Sequence, residues 1–139
     1  ILKKELLKIP IFGWYLKKIG SISIKRGQIT KDNLSFYDEI SSVVKNSDRP
    51  LIIFPQGTRV LPNERPPFKK GASRIYEKLK IACQPVAINS GYVWPKLGKK
   101  ISNKTITVSI MPKINNDLDK EIFLKTLEDK IYSELNLMN

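Results

Sequence analysis

The stretch Leu51–Val60, LIIFPQGTRV, sets four apolar residues against a proline, a glycine and an arginine. An unbroken apolar run of this length predicts a central strand buried on both faces. Pro55 ends that strand, because it has no N–H to give to a ladder. Gly57 lets the backbone take a positive φ and come close to a ligand. Successive amide N–H groups in such a turn form an anion-binding nest, and Thr58 adds a hydroxyl donor. Arg59 brings a planar, permanently charged fork that matches phosphate in two-pronged fashion. Taken alone, the stretch fits two readings: a phosphate site, or a strand-ending turn with a surface arginine.

Strand and helix patterns alternate on both sides of it. Upstream, residues 3–18 open with a short helical piece stopped at Pro10, followed by an apolar and aromatic segment that bends at Gly13. SISIKR (21–26) alternates and puts Ile22 and Ile24 on one strand face. Residues 30–46 read as a helix with Thr30, Asp32 and Asn33 as candidate caps and Leu34, Tyr37, Ile40 and Val44 on one stripe. Downstream, residues 55–68 carry four of the nine prolines and are too long for a simple turn, a length that points to function. A helix over 69–80 and a second buried strand in QPVAINS (84–90) follow. TITVSI (105–110) alternates strictly, with Ile106, Val108 and Ile110 expected inward. The last helix, 115–135, has Asn116 as its expected cap, and Asp117, Asp119 and Glu121 complement its dipole. The pattern predicts an α/β fold with a mostly parallel mixed sheet flanked by helices, and 139 residues fit a single domain. Ligands of such sheets sit at the carboxyl ends of strands, where PQGTR lies.

The charge is regional. Residues 1–31 carry eight Lys/Arg and one acid, Glu5; residues 65–104 carry ten and one acid, Glu77. With a net charge of +12, such clustering builds local positive potential. Phospholipid headgroups, small phosphorylated substrates and nucleic acid all suit that field. Phe12, Trp14 and Tyr15 beside Lys17 and Lys18 suit a membrane interface or, equally, core packing; residues 92–100 are a second such candidate. The remaining aromatics fall among expected core positions, which disfavours a base-stacking platform and hence a nucleic-acid-binding domain. Cys83, the single cysteine, sits at an apolar strand entry and reads as a small core residue rather than a nucleophile. No histidine exists anywhere in the chain, so a zinc site is unsupported, and no nucleotide-binding glycine loop is present.

Several of these blocks together resemble the PlsC-type 1-acyl-sn-glycerol-3-phosphate acyltransferase family. FPQGTR is similar to that family's FPEGTR block. Lys3, Leu6, Gly13 and Arg26 fall in the register of its second block without a gap, and Gln84–Ile88 and Pro66–Ala72 resemble its later segments. The resemblance implies a glycerolipid acyltransferase-like fold and transfer of a fatty acyl group from acyl-CoA or acyl-carrier protein to lysophosphatidic acid. No cofactor is implied, the acyl donor being a co-substrate, and no metal. It further implies that Arg59 and Arg26 hold the acceptor phosphate, that Lys3 adds charge there, that Gly57 and Thr58 shape the loop around it, and that Gln56 stands among the substrate-binding residues. It implies a membrane-associated protein on the cytoplasmic face, in peripheral contact with an anionic surface. Two departures stand out. Gln56 replaces the family's glutamate and loses its charge. The family's His–x4–Asp block, whose histidine takes the proton of the attacking hydroxyl, is absent from this sequence. It is expected upstream of Ile1, so the chain is expected to lack its N-terminal portion, to hold no catalytic residue and to be inactive alone. The alternative is a catalytically inactive phospholipid-binding module that keeps its anion site.

Overall fold

A computed structural model describes residues 1–24 and 32–138, with the side chains at 2–4, 24 and 32–35 outside the described set. The chain divides into two compact units, Ile1–Ile53 and Phe54–Asn139.

In the first unit, β1 (Leu2–Lys3) pairs in parallel with β2 (Ser23–Ile24), and a 3-10 helix over Lys4–Lys8 leads to α1 (Phe12–Lys18). Gly13 does not bend the chain as expected; it is buried within α1. A Cβ built there would lie 2.2 Å from the carbonyl oxygen of Leu7, so the close approach of two backbones, not a turn, requires the glycine. Arg49 Nη1 donates to the Ile19 carbonyl at 3.0 Å beside the end of α1. The expected helix is α2 (Asp32–Lys45). Ile40 on its stripe is 1% exposed, with Tyr37 and Val44 half-buried, while Thr30 and the side chains of the other expected caps lie outside the described residues.

The run Leu51–Phe54 is a correction. It forms no strand, and Ile52 and Phe54 are 64% and 73% exposed. Apolar composition says that a segment suits a covered ladder position, but a strand exists only where partners supply the hydrogen bonds. Among the described residues, Ile52 O accepts from the Ile1 nitrogen at 3.0 Å.

The second unit is built around α3 (Gly71–Leu79), β3 (Val86–Ile88), β4 (Val108–Ile110) and α4 (Lys120–Leu137). β3 and β4 are antiparallel, with Ala87 opposite Ser109. The core comprises Phe68, Tyr76, Ala87, Met111, Ile114, Phe123, Leu127 and Ile131. Within it the rings of Tyr76 and Phe123 stack at 3.7 Å. Of the strand expected at 105–110 only Val108–Ile110 forms, and its faces are inverted. Ala87 is fully buried and Ser109 turns inward, its Oγ donating to Glu134 on α4 at 2.7 Å. Ile106, Val108 and Ile110, like Val86 and Ile88, are exposed. Periodicity of two gives the alternation and leaves open which set faces the helix. Here the small residues lie under α4 and let it come close.

A mostly parallel mixed sheet is therefore not what the described residues form: they make one parallel and one antiparallel pair, in a coarser α/β arrangement. Two smaller expectations also shift. Asp119, not Asn116, caps α4 by accepting from Glu121 N–H at 2.8 Å; hydrogen bonding to Glu121, through its side chain first and its backbone N–H second, holds the Asp119 carboxyl below the ordinary value. Asn116 instead donates to the Lys80 carbonyl at 2.8 Å, just past α3. Cys83 is half-buried, exchanges backbone hydrogen bonds with Ile114, and has its thiol pKa raised by burial.

Candidate anion-binding loop

The loop begins with a tight turn. Gly57 N–H donates to Phe54 O at 2.9 Å, with Pro55 and Gln56 between them and Gly57 at φ +71°. Proline second and glycine fourth are the residues such a turn favours. Lys69 N–H donates to Pro55 O at 2.8 Å and ties the far end of the loop back to its start. After the turn, Thr58 and Arg59 are exposed. Among the described residues their amides have no hydrogen-bond partner, and the Arg59 guanidinium has no ion pair. An always-charged fork next to two unused N–H donors is suited to an oxyanion.

One face of α4 holds the loop. Glu128, Tyr132 and Asn136 are spaced by four and so lie in line along the helix. Phe68 N–H donates to Glu128 Oε2, and the Phe68 ring meets that of Tyr132 edge-on at 5.0 Å. Tyr132 O–H donates to the Pro66 carbonyl. Arg65 Nη2 donates to Asn136 Oδ1 at 3.0 Å, its guanidinium lies 5.5 Å from the Tyr132 ring centroid, and Nη1 donates to the carbonyls of Pro62 and Glu64. Burial holds the Tyr132 phenol above its ordinary value, so it stays protonated and keeps donating.

Gln56 has a structural role here. Its Nε2 donates to the Tyr132 oxygen at 3.4 Å, while the phenol proton goes to Pro66. A carboxylate at position 56 could only accept, and would compete with Pro66 for that proton. Replacing Tyr132 with phenylalanine leaves the Pro66 carbonyl and the Gln56 amide without this partner. The expected cost is about 1–2 kcal/mol, read from the urea midpoint, with the ring packing retained. An unchanged midpoint would show that the hydroxyl does not hold the loop.

Of the expected site residues, Gln56, Gly57, Thr58 and Arg59 are brought together in one turn. Lys3 lies in β1 with its side chain outside the described residues, and Arg26 lies outside them altogether. Sequence reading missed Arg65 and the α4 clamp. The fourfold spacing was available, but the acids of that helix read as caps and solvated charge. Among the described residues no group of His, Cys, Asp or Glu could hold a metal ion, and no helix is long and apolar enough to cross a membrane.

A family model described as Acyltransferase matches residues 1–89, which include the whole turn. The chain is 33% identical over 118 residues to a 1-acyl-sn-glycerol-3-phosphate acyltransferase of Pseudomonas aeruginosa, covering 81% of this chain and 43% of that protein. It is 42% identical over 94 residues to the protein of the same name from Helicobacter pylori, covering 65% and 38% respectively. For that from Saccharomyces cerevisiae the identity is 33% over 100 residues, covering 69% and 33%. The chain thus spans less than half the length of these relatives, and no solved structure matches it. Carrying the FPQGTR turn within a family match that covers most of its length, the chain belongs to the acyltransferase family.

Proposed function

We propose that the chain provides the acceptor end of an enzyme that moves a fatty acyl group from acyl-CoA or acyl-carrier protein to the free hydroxyl of 1-acyl-sn-glycerol 3-phosphate, giving phosphatidic acid. The observation that carries this reading is Arg59, exposed and free of ion pairs among the described residues, beside the open Gly57 turn of an acyltransferase-family chain. Similar proteins named for that acceptor support it. Arg59 and the Thr58 and Arg59 amides would grip the phosphate. Lys3 and Arg26 join them in this proposal on their block register alone. Anchoring the phosphate fixes where the acceptor hydroxyl sits, which turns a chance encounter into a positioned attack. The hydroxyl must lose its proton as it attacks, and with no histidine in the chain that base belongs to the family's His–x4–Asp block. No cofactor enters this scheme.

We also propose that both units belong to one acyltransferase domain, since the family match runs across their boundary. The parallel pairing of β1 with β2 supports a mostly parallel sheet for that domain. A third part of the proposal is peripheral contact with an anionic membrane surface on the cytoplasmic face. Ile11 and Trp14 are 84% and 63% exposed, Phe12 and Tyr15 are also exposed, and Lys18 Nζ lies 4.9 Å from the Trp14 ring centroid. Aliphatic and aromatic side chains mixed with lysines suit hydrocarbon beneath anionic headgroups better than stacked bases.

The test is acyl transfer by a chain carrying these residues together with a His–x4–Asp block. Thiol release from the donor is expected to depend on 1-acyl-sn-glycerol 3-phosphate and to yield phosphatidic acid. Equal release with a neutral monoacylglycerol would overturn the phosphate-acceptor reading.

A further inference from the structure

The second unit carries an apolar loop that its core does not use. After a 3-10 turn over Ser90–Tyr92, Trp94 N–H donates to the Ser90 carbonyl at 2.8 Å, and Ile101 N–H donates to the Val93 carbonyl at 2.8 Å. The second of these bonds closes residues 93–101 into a loop, with Gly98 at φ +95° inside it. Trp94, Leu97 and Ile101 are 57%, 75% and 47% exposed, and none of the three joins the core of the unit. Single exposed apolar residues are ordinary, but a tryptophan and two large aliphatics gathered on one closed loop mark an interaction surface.

The same loop is cationic. Lys96, Lys99, Lys100 and Lys104 are exposed, and among the described residues none of them forms an ion pair. No acid occurs between Glu77 and Asp117, so no neighbour in sequence offsets them. Lys100 Nζ lies 4.1 Å from the Trp94 ring centroid, which sets an ammonium beside the indole. An indole with an ammonium at its side suits the headgroup level of a bilayer, the ring facing the acyl chains and the charge reaching a phosphate. Leu97 and Ile101 have no π-face on which a base could stack, so single-stranded nucleic acid does not match. A small soluble anion leaves both of them in water. Negative charge lying over hydrocarbon satisfies both halves of the loop.

The root of this loop is joined to the one that presents Arg59. Tyr92 O–H donates to Asn63 Oδ1 at 3.2 Å, and a Cβ added at Gly91 would lie 3.5 Å from the Pro62 ring.

We infer that residues 93–101 form a bilayer-contact loop, which lays Trp94, Leu97 and Ile101 into the interface of an anionic membrane while its lysines hold the headgroups. The partner is the bilayer that the proposed function invokes, and to that extent the inference rests on that reading. The site is a separate one, in the second unit, and needs neither α1 nor acyl transfer.

The experiment uses the full 139-residue chain and its two tryptophans. Trp14→Phe leaves Trp94 as the sole fluorophore, and Trp94→Phe leaves Trp14. Each chain is mixed with vesicles of phosphatidylcholine alone or of equal parts phosphatidylcholine and phosphatidylglycerol, with and without bromine-labelled acyl chains. Trp94 emission is expected to shift to the blue and to be quenched by the bromines on the anionic vesicles. Lys96→Gln/Lys99→Gln is expected to weaken that binding at least about tenfold, and Leu97→Ser at least about threefold. All three side chains are exposed, and circular dichroism checks that the fold is kept. If the chain binds the vesicles while Trp94 stays unquenched, the loop is not in the bilayer and the inference fails. It fails equally if neither set of substitutions changes binding, or if Trp94 responds to soluble polyglutamate but to neither vesicle, which would make the loop a surface for an acidic protein. Quenching of Trp94 without Trp14 keeps this inference and removes the α1 contact; quenching of Trp14 without Trp94 does the reverse. Binding to neither vesicle overturns both.

Discussion

Replacing Arg59 with alanine is expected to raise the acceptor concentration for half-saturation by roughly 10- to 150-fold, equivalent to about 1.5–3 kcal/mol of charge-assisted hydrogen bonding. The estimate stays at this level because Arg59 is solvent-exposed, where water screens its charge. The effect should fall on acceptor binding and leave the fold alone. Among the described residues the guanidinium has no ion pair whose loss would destabilise the unit, so the melting temperature should stay unchanged. Arg59→Lys keeps the charge but loses the fork, and should recover only part of the affinity. Steady-state kinetics on a transfer-competent chain, varying the acceptor at fixed donor, reads the two affinity effects, and a thermal melt reads the third. Unchanged acceptor saturation in Arg59→Ala would remove this residue from the phosphate site.

Gly13→Ala is the second large effect, and its sign separates two arguments. On helix propensity alone the substitution in α1 should stabilise by about 0.5–1 kcal/mol, because glycine is a poor helix former. The packing says the opposite. The new Cβ would lie 2.2 Å from the Leu7 oxygen and 2.5 Å from its carbonyl carbon. Both are backbone atoms and cannot rotate away, so the two segments must separate. A loss of about 3 kcal/mol or more is expected, enough to unfold a marginal unit. Gly71→Ala in α3 is the control. Nothing lies within 4 Å of its added Cβ, and a gain of up to about 1 kcal/mol is expected there. Urea unfolding followed by circular dichroism should show the two glycines moving in opposite directions; a stable Gly13→Ala chain would contradict the close crossing.

These cases also show what the sequence could reveal. The helices at 32–45, 71–79 and 120–137 were legible because each carries an apolar stripe of helical period. The FPQGTR turn was legible because proline and glycine fix local backbone geometry whatever surrounds them. Features that depend on distant partners were not. Leu51–Phe54 has the composition of a central strand but no strand pairing among the described residues. The strand 108–110 has the predicted alternation with its faces exchanged, because only the position of α4 decides which set turns inward. Gly13 read as a bend, since its real constraint is an oxygen six residues earlier whose position no local pattern encodes. The candidate site divides the same way: the residues offering a charge were visible, and the residues positioning them were not.

The grip of α4 on the loop has a practical consequence for anyone choosing where to cut this protein. The family match ends at residue 89, yet Glu128, Tyr132 and Asn136, which fasten the loop, come some forty residues later. A shortened version drawn at the limit of the signature would keep every hallmark letter and lose the scaffold beneath it. Its Arg59 would sit on a loop tied only to itself, still charged but no longer aimed.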